Sequence, residues 1–167
     1  MTRNLFHHIA QQGCAPTEIA GLINNSLAQV NENMMFVTMF ICRVDLCTGH
    51  LDFCNCGHNP PMLDGQFVQI KTANRPLGVF EDYEFKGDTI DDIRGHQFLL
   101  YTDGVNEAMN PSLEIYGDDR LMTFISSVLN KSAREVIDSL ICDVDKFRAG
   151  AEPHDDVTLL CLKLSKS

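Results

Sequence analysis

Phe98-Leu99-Leu100-Tyr101-Thr102-Asp103-Gly104 is an apolar strand that runs straight into acid. Four large side chains in a row read as a buried strand; Thr102-Asp103-Gly104 then puts a carboxylate at its tip, with a glycine that lets other groups come close. Pro153-His154-Asp155-Asp156 mirrors this near the other end of the chain, just before a second apolar run, Val157-Thr158-Leu159-Leu160-Cys161-Leu162. If the two strands are neighbours, their acidic tips meet. Facing carboxylates are costly unless a divalent cation neutralises them, and Mg²⁺ and Mn²⁺ prefer such oxygen ligands. The same residues also fit a simple turn at Asp103-Gly104 and a solvated loop at Asp155-Asp156 that caps neighbouring amides.

The rest of the chain orders itself around these two strands. Ile9, and then Ile19, Leu22, Ile23, Leu27 and Val30, follow helical spacing, with Leu5 before them, Gly13 as a break and Pro16 suited to a first turn. Residues Met35 to Val44 and Leu51 to Cys56 form a predicted hairpin around the turn chemistry of Asp45 to Gly49. Gly57-His58-Asn59-Pro60-Pro61 ends it, because consecutive prolines remove two donors. Short strands are expected at Phe67–Ile70, Tyr83–Ile90 and His96–Tyr101, helices at Asp118–Leu129 and Ser132–Phe147, and a last strand at Val157–Leu164. Ser132-Ala133-Arg134-Glu135 has capping-box spacing. Helices and strands in separate blocks predict an α+β fold with antiparallel sheets, and 167 residues with 44% hydrophobic content predict one domain over 1–167.

Composition narrows the partners. Lys and Arg number 13 against 23 Asp and Glu, a formal charge of −10, and no basic patch interrupts it. Nucleic acid and anionic lipid are therefore disfavoured, and no apolar run is long enough for a membrane span. Seven scattered cysteines lack framework spacing and read as reduced thiols in a cytoplasmic protein. Cys54-x-Cys56-x-His58 departs from zinc-site spacing, and no second cysteine pair follows it. His7-His8 have no partner in sequence. There is neither a Gly-x-Ser-x-Gly elbow nor a phosphate-cradling glycine loop.

Four stretches taken together carry a resemblance. Leu51-Asp52-Phe53-Cys54-Asn55-Cys56-Gly57-His58-Asn59-Pro60-Pro61, Arg75-Pro76-Leu77-Gly78, Leu100-Tyr101-Thr102-Asp103-Gly104-Val105-Asn106-Glu107-Ala108 and Asp155-Asp156-Val157-Thr158 resemble, in order, the motifs of the SpoIIE/RsbU-type serine phosphatases of the metal-dependent PPM class. The resemblance implies an α-β-β-α sandwich of two antiparallel sheets flanked by helices, with a Mn²⁺ or Mg²⁺ centre at one end. It makes Asp103 and Asp155 metal ligands, with Gly104 and Asp156 beside them and Glu107 as a weaker ligand. His58 and Asn59 would shape the loop beside the sheets or meet substrate.

The implied reaction is direct hydrolysis of phosphoserine or phosphothreonine on a phosphorylated regulatory protein, of the anti-sigma-factor antagonist type, without a covalent phosphoenzyme. Such an enzyme belongs to signal transduction and sigma-factor regulation. The alternative is a catalytically silent, partner-binding domain of the same fold. One departure stands out: the family's first strand ends in an Asp-Gly pair that bridges the metals, and the first aspartate here is Asp45, inside the hairpin. The expectation is a domain lacking its first strands, with a weak or empty centre and exposed sheet edges that favour a homodimer.

Overall fold

The computed structural model describes residues 6, 9–11, 13–31, 35–153 and 155–166. Leu5, His7, His8 and His154 lie outside them. The chain divides into two compact units, Met1–His58 with Ile70–Asp92, and Asn59–Gln69 with Ile93–Ser167.

In the first unit, helix α1 (Pro16–Ala28) opens with proline in its first turn, and the Glu18 carboxylate accepts the Ala15 N–H at 2.8 Å. Its inner face buries Ile19, Ala20, Ile23 and Asn24. Strands β1 (Met39–Val44) and β2 (Leu51–Cys56) form the expected antiparallel hairpin, in register from Met39↔Cys56 to Val44↔Leu51. Asp45 closes it by accepting the N–H groups of Cys47 and Thr48 at 2.8 and 3.0 Å. A short strand (Asp88–Ile90, β5 in chain order after the two described next) adds to the other edge of β2. Ile41, Cys54, Cys56, Leu77 and Phe85 pack with Ile9 and the α1 residues as this unit's core.

Three asparagines hold its loops. Asn24, 1% exposed, donates to the Phe80 carbonyl at 2.7 Å and accepts from Gly78 N–H at 2.9 Å. Asn31 takes both backbone groups of Met35 and donates to the Gly78 carbonyl. Asn74 does the same for Lys86, accepting its N–H at 2.9 Å and donating to its carbonyl at 2.8 Å.

The second unit holds β3 (Met62–Leu63), β4 (Gln66–Phe67), β6 (Gln97–Tyr101) and β7 (Leu159–Lys163), antiparallel throughout in the order β4-β3-β6-β7. Asp64-Gly65, with φ of 49° and 81°, is the two-residue turn between β3 and β4. A four-residue helix α2 (Asp103–Asn106) follows β6, and α3 (Asp118–Ser127) and α4 (Ala133–Arg148) come before β7. Ser132 and Glu135 form the expected capping box. Met62, Leu99, Tyr101, Leu121, Ile125, Val136, Leu140 and Val144 are the heart of this unit's core. At its edge Asp143 accepts from Tyr116 Oη at 2.7 Å and pairs with Arg120, whose guanidinium stacks on the Tyr116 and Phe147 rings. Lys163 Nζ donates to the Leu129 and Lys131 carbonyls of the α3–α4 connection.

Several strands are shorter than their apolar runs. Met35 and Phe36 stay outside β1 because Asn31 already holds both backbone groups of Met35. The run from Tyr83 enters the sheet only at Asp88, since Asn74 holds Lys86. Phe67–Ile70 shrinks to Gln66–Phe67, with Lys71 and Thr72 N–H turned to the Asp88 carboxylate. The last strand starts at Leu159, two residues late, because Thr102 captures Asp156 and Thr158. Helix α3 ends at Ser127, two residues short of Leu129.

Candidate metal centre

The β6–β7 ladder ends at Tyr101↔Leu159 and is prolonged by Thr102 N–H donating to the Thr158 carbonyl at 3.1 Å. The Thr102 hydroxyl then joins both chains: it donates to the Asp156 carbonyl at 3.0 Å and accepts from Thr158 N–H at 2.9 Å. The two acidic tips read from the sequence are therefore neighbours. A Cβ on Gly104 would lie 2.5 Å from the Asp156 carbonyl oxygen and 2.9 Å from its carbon, so only glycine permits this approach.

Asp103 opens α2, and its Oδ1 accepts the Gly104 N–H at 3.1 Å. Asp155 Oδ1 accepts the Asp156 N–H at 2.7 Å, which makes Asp156 a backbone positioner of its neighbour. Glu107 closes α2, its N–H donating to the Asp103 carbonyl at 2.8 Å. Gly104, Glu107 and Asp155 line a small cavity of about 70 Å³ with Met109, Arg148 and Val157. A wider cleft of about 280 Å³ runs from Asp155 and Asp156 along Ile141, Val144 and Asp145 of α4, again beside Arg148.

Arg148 escapes a motif-based reading. Its guanidinium donates to the Ala151 carbonyl at 2.9 Å and reaches Asp145 at 3.3 Å. The only sequence signal for it is a basic residue in the last turn of a helix. Asn106 is a second omission; it donates to Asp118 at 2.9 Å and accepts the Gly117 N–H, tying α2 to the start of α3. Tyr101, at the foot of the site, has its hydroxyl pKa pushed up to about 12, by burial first and by the Asp118 charge second.

His58 belongs to the first unit, where Asn55 accepts its N–H at 2.8 Å and donates to its carbonyl at 2.9 Å, as a turn histidine. Gly57 before it has φ +74°, and a Cβ there would meet Pro76 at 2.9 Å. Asn59 begins the second unit's first segment. The oxygen donors Asp103, Asp155 and Glu107 suit Mg²⁺ or Mn²⁺ in kind. Among the described residues, however, no group of three or more His, Cys, Asp or Glu side chains is placed to hold a metal. An ion held here would complete its shell with water or other oxygens.

Comparison with known proteins agrees with this architecture. The family model for stage II sporulation protein E (SpoIIE) matches residues 1–165, across both units. Phosphoserine phosphatase RsbU of Bacillus subtilis is 23% identical over 167 residues, covering 98% of this chain and 49% of RsbU. The PP2C phosphatase domain of SpoIIE from Bacillus subtilis, solved with a fragment of its regulatory domain, superimposes with a TM-score of 0.78 at 20% identity, over 96% of this chain and 48% of that one. A manganese-presoaked crystal of the SpoIIE phosphatase domain gives 0.65 at 20% identity, over 99% of this chain and 73% of that one. The chain spans about a quarter to a half of the length of the curated relatives it matches. Its helices and two antiparallel sheets are those of a PP2C fold, and no described helix is long and apolar enough to cross a membrane. With four ordered motifs, this fold and a family match over nearly its whole length, the chain belongs to the SpoIIE family, as a SpoIIE/RsbU-type domain of the PPM class.

Proposed function

We propose that residues 1–167 act as one metal-dependent protein serine/threonine phosphatase domain, hydrolysing phosphoserine or phosphothreonine on a regulatory protein in the cytoplasm. One observation carries the reading: Thr102 and Gly104 bring the Asp103 and Asp155 segments against each other at adjacent strand tips. Relatives named as phosphoserine phosphatases support it. Asp103 and Asp155 hold the divalent ion, Mn²⁺ or Mg²⁺, with Glu107 as a further oxygen donor beside Gly104. When bound, the ion lowers the pKa of water and offsets charge on the phosphoryl oxygens. Thr102 and the Asp156 N–H keep the Asp155 loop in place, so that little reorganisation is needed when substrate arrives. The substrate is a phosphorylated protein of the anti-sigma-factor antagonist type, linking this domain to sigma-factor control. Sheet edges at β1 and β7 serve as the homodimer contact, which sedimentation at rising concentration tests by a shift from monomer to dimer mass.

The second reading, a partner-binding domain without catalysis, is favoured by the small number of clustered donors among the described residues. Calorimetric titration with Mn²⁺, run beside hydrolysis of an aryl phosphate, separates the two. The enzyme reading expects Mn²⁺ binding and Mn²⁺-dependent turnover, both weakened at least about 100-fold in Asp103→Asn. Absence of binding and turnover in the unaltered chain would favour the silent domain.

A further inference from the structure

Cys54 and Cys56 lie on the same face of β2, both 0% exposed, with their sulfurs 3.6 Å apart. The Lys86 carbonyl is also 3.6 Å from Cys54 Sγ, and the Asn74 amide donates to that sulfur at 3.7 Å. Cys54 Sγ thus has two partners besides Cys56, donating to the Lys86 carbonyl and accepting from Asn74, and the hydrogen bond between the two sulfurs lowers the Cys54 pKa and, with burial, raises that of Cys56. Neither residue takes part in the candidate metal centre.

We infer that Cys54 and Cys56 form a reversible redox pair, closed to an intrastrand disulfide by hydrogen peroxide. Both sulfurs are closed off in the resting fold, so peroxide meets the pair during local opening of the strand end. Cys54 thiolate attacks one peroxide oxygen, the O–O bond breaks, and the released hydroxide takes a proton to leave as water. The resulting Cys54 sulfenic acid is attacked by the Cys56 sulfur; the S–S bond forms, the S–O bond breaks, and a second water leaves with the Cys56 proton. In sum two thiols and one peroxide give one disulfide and two waters.

The backbone sets the character of this bond. Two strand residues span about 6.7 Å between Cα atoms, near the upper end of about 6.8 Å that disulfides accept. Cys56 is the last residue of β2, paired with Met39, so closure must draw the strand end inward against that pairing. A disulfide made near that limit is readily reduced, as regulatory ones are. Closing it draws Cys54 away from the Lys86 carbonyl and the Asn74 amide, beside the clamp that holds the loop leading to Arg75-Pro76-Leu77-Gly78.

The test treats the intact chain with graded hydrogen peroxide, quenches with catalase, alkylates under denaturing conditions and maps peptides by mass. The expected peptide spanning both residues is lighter by two hydrogens, takes up no alkyl group, and regains two alkylation sites after dithiothreitol. Cys56→Ser should stop at a Cys54 sulfenic acid that dimedone captures once the quenched chain is denatured. Recovery of Cys54 and Cys56 alkylated while exposed Cys47 and Cys142 are oxidised would overturn the pair, as would Cys54 bonded to any other cysteine.

Discussion

The two units use different means to fix their backbones. In the second, helices α3 and α4 lay Leu121, Ile125, Val136, Leu140 and Val144 onto Leu99 and Tyr101, and polar contacts such as Tyr116–Asp143–Arg120 finish the rim. In the first, helix α1 packs on a three-stranded sheet, and long loops are held by single asparagine side chains that each take two or more backbone groups. Apolar contact sets elements against one another with little regard for the residues between; an amide fixes one named N–H and one named carbonyl. The candidate centre lies in the unit built the first way, so its carboxylates are carried by strand pairing rather than by loop clamps.

The contrast is open to breakage. Leu140→Ala, at a side chain with 0% exposure, should lower unfolding free energy by about 2–5 kcal/mol in urea melts, by lost transfer energy and cavity. Asn24→Ala should cost about 1–3 kcal/mol, because it orphans Phe80 carbonyl and Gly78 N–H, and hydrogen exchange should quicken at Gly78. If exchange at Gly78 stays slow, the clamp description of the first unit fails. Ser132→Ala, which removes the α4 cap, should cost about 1 kcal/mol and speed exchange at Glu135.

The smallest effect at neutral pH concerns the tyrosines. Tyr101 is pushed up to about 12, and Tyr116 is raised above its ordinary value by burial first and by Asp143 second. Groups held protonated in the fold contribute stability that is complete below about pH 10 and is lost as pH rises toward and through their folded pKa. Urea midpoints should therefore fall between about pH 10 and 12, and Tyr116→Phe should flatten part of that fall. A midpoint independent of pH in that range, alike in both proteins, would mean the tyrosines are not held protonated by the fold.

Periodicity sufficed where burial decides structure. The β1–β2 hairpin, the strand before Thr102 and the Ser132 cap all follow from apolar spacing and turn chemistry, whereas the pairing of β6 with β7, the condition on which the Asp103 and Asp155 segments adjoin, does not. What stayed hidden were the competitors for backbone hydrogen bonds. Asn31, Asn74, Asp88 and Thr102 each divert N–H groups or carbonyls that an apolar run would have offered to a sheet, and nothing within the run announces a partner outside it. Arg148 was hidden for the same reason, since its place depends on how the chain after α4 returns to Asp155.

The doubly bonded hydroxyl of Thr102 has a bearing on how this domain tolerates change. Because Asp156 and Thr158 are registered from the β6 side, the position of Asp155 is inherited from the strand and owes little to the path of residues 149–153. Insertions and deletions can accumulate in that connection, as they do in exposed loops generally, without dislodging the acid that follows it. The stretch is a natural place for relatives to diverge in length, and for an added recognition segment to be grafted beside the centre while its carboxylates stay where they are.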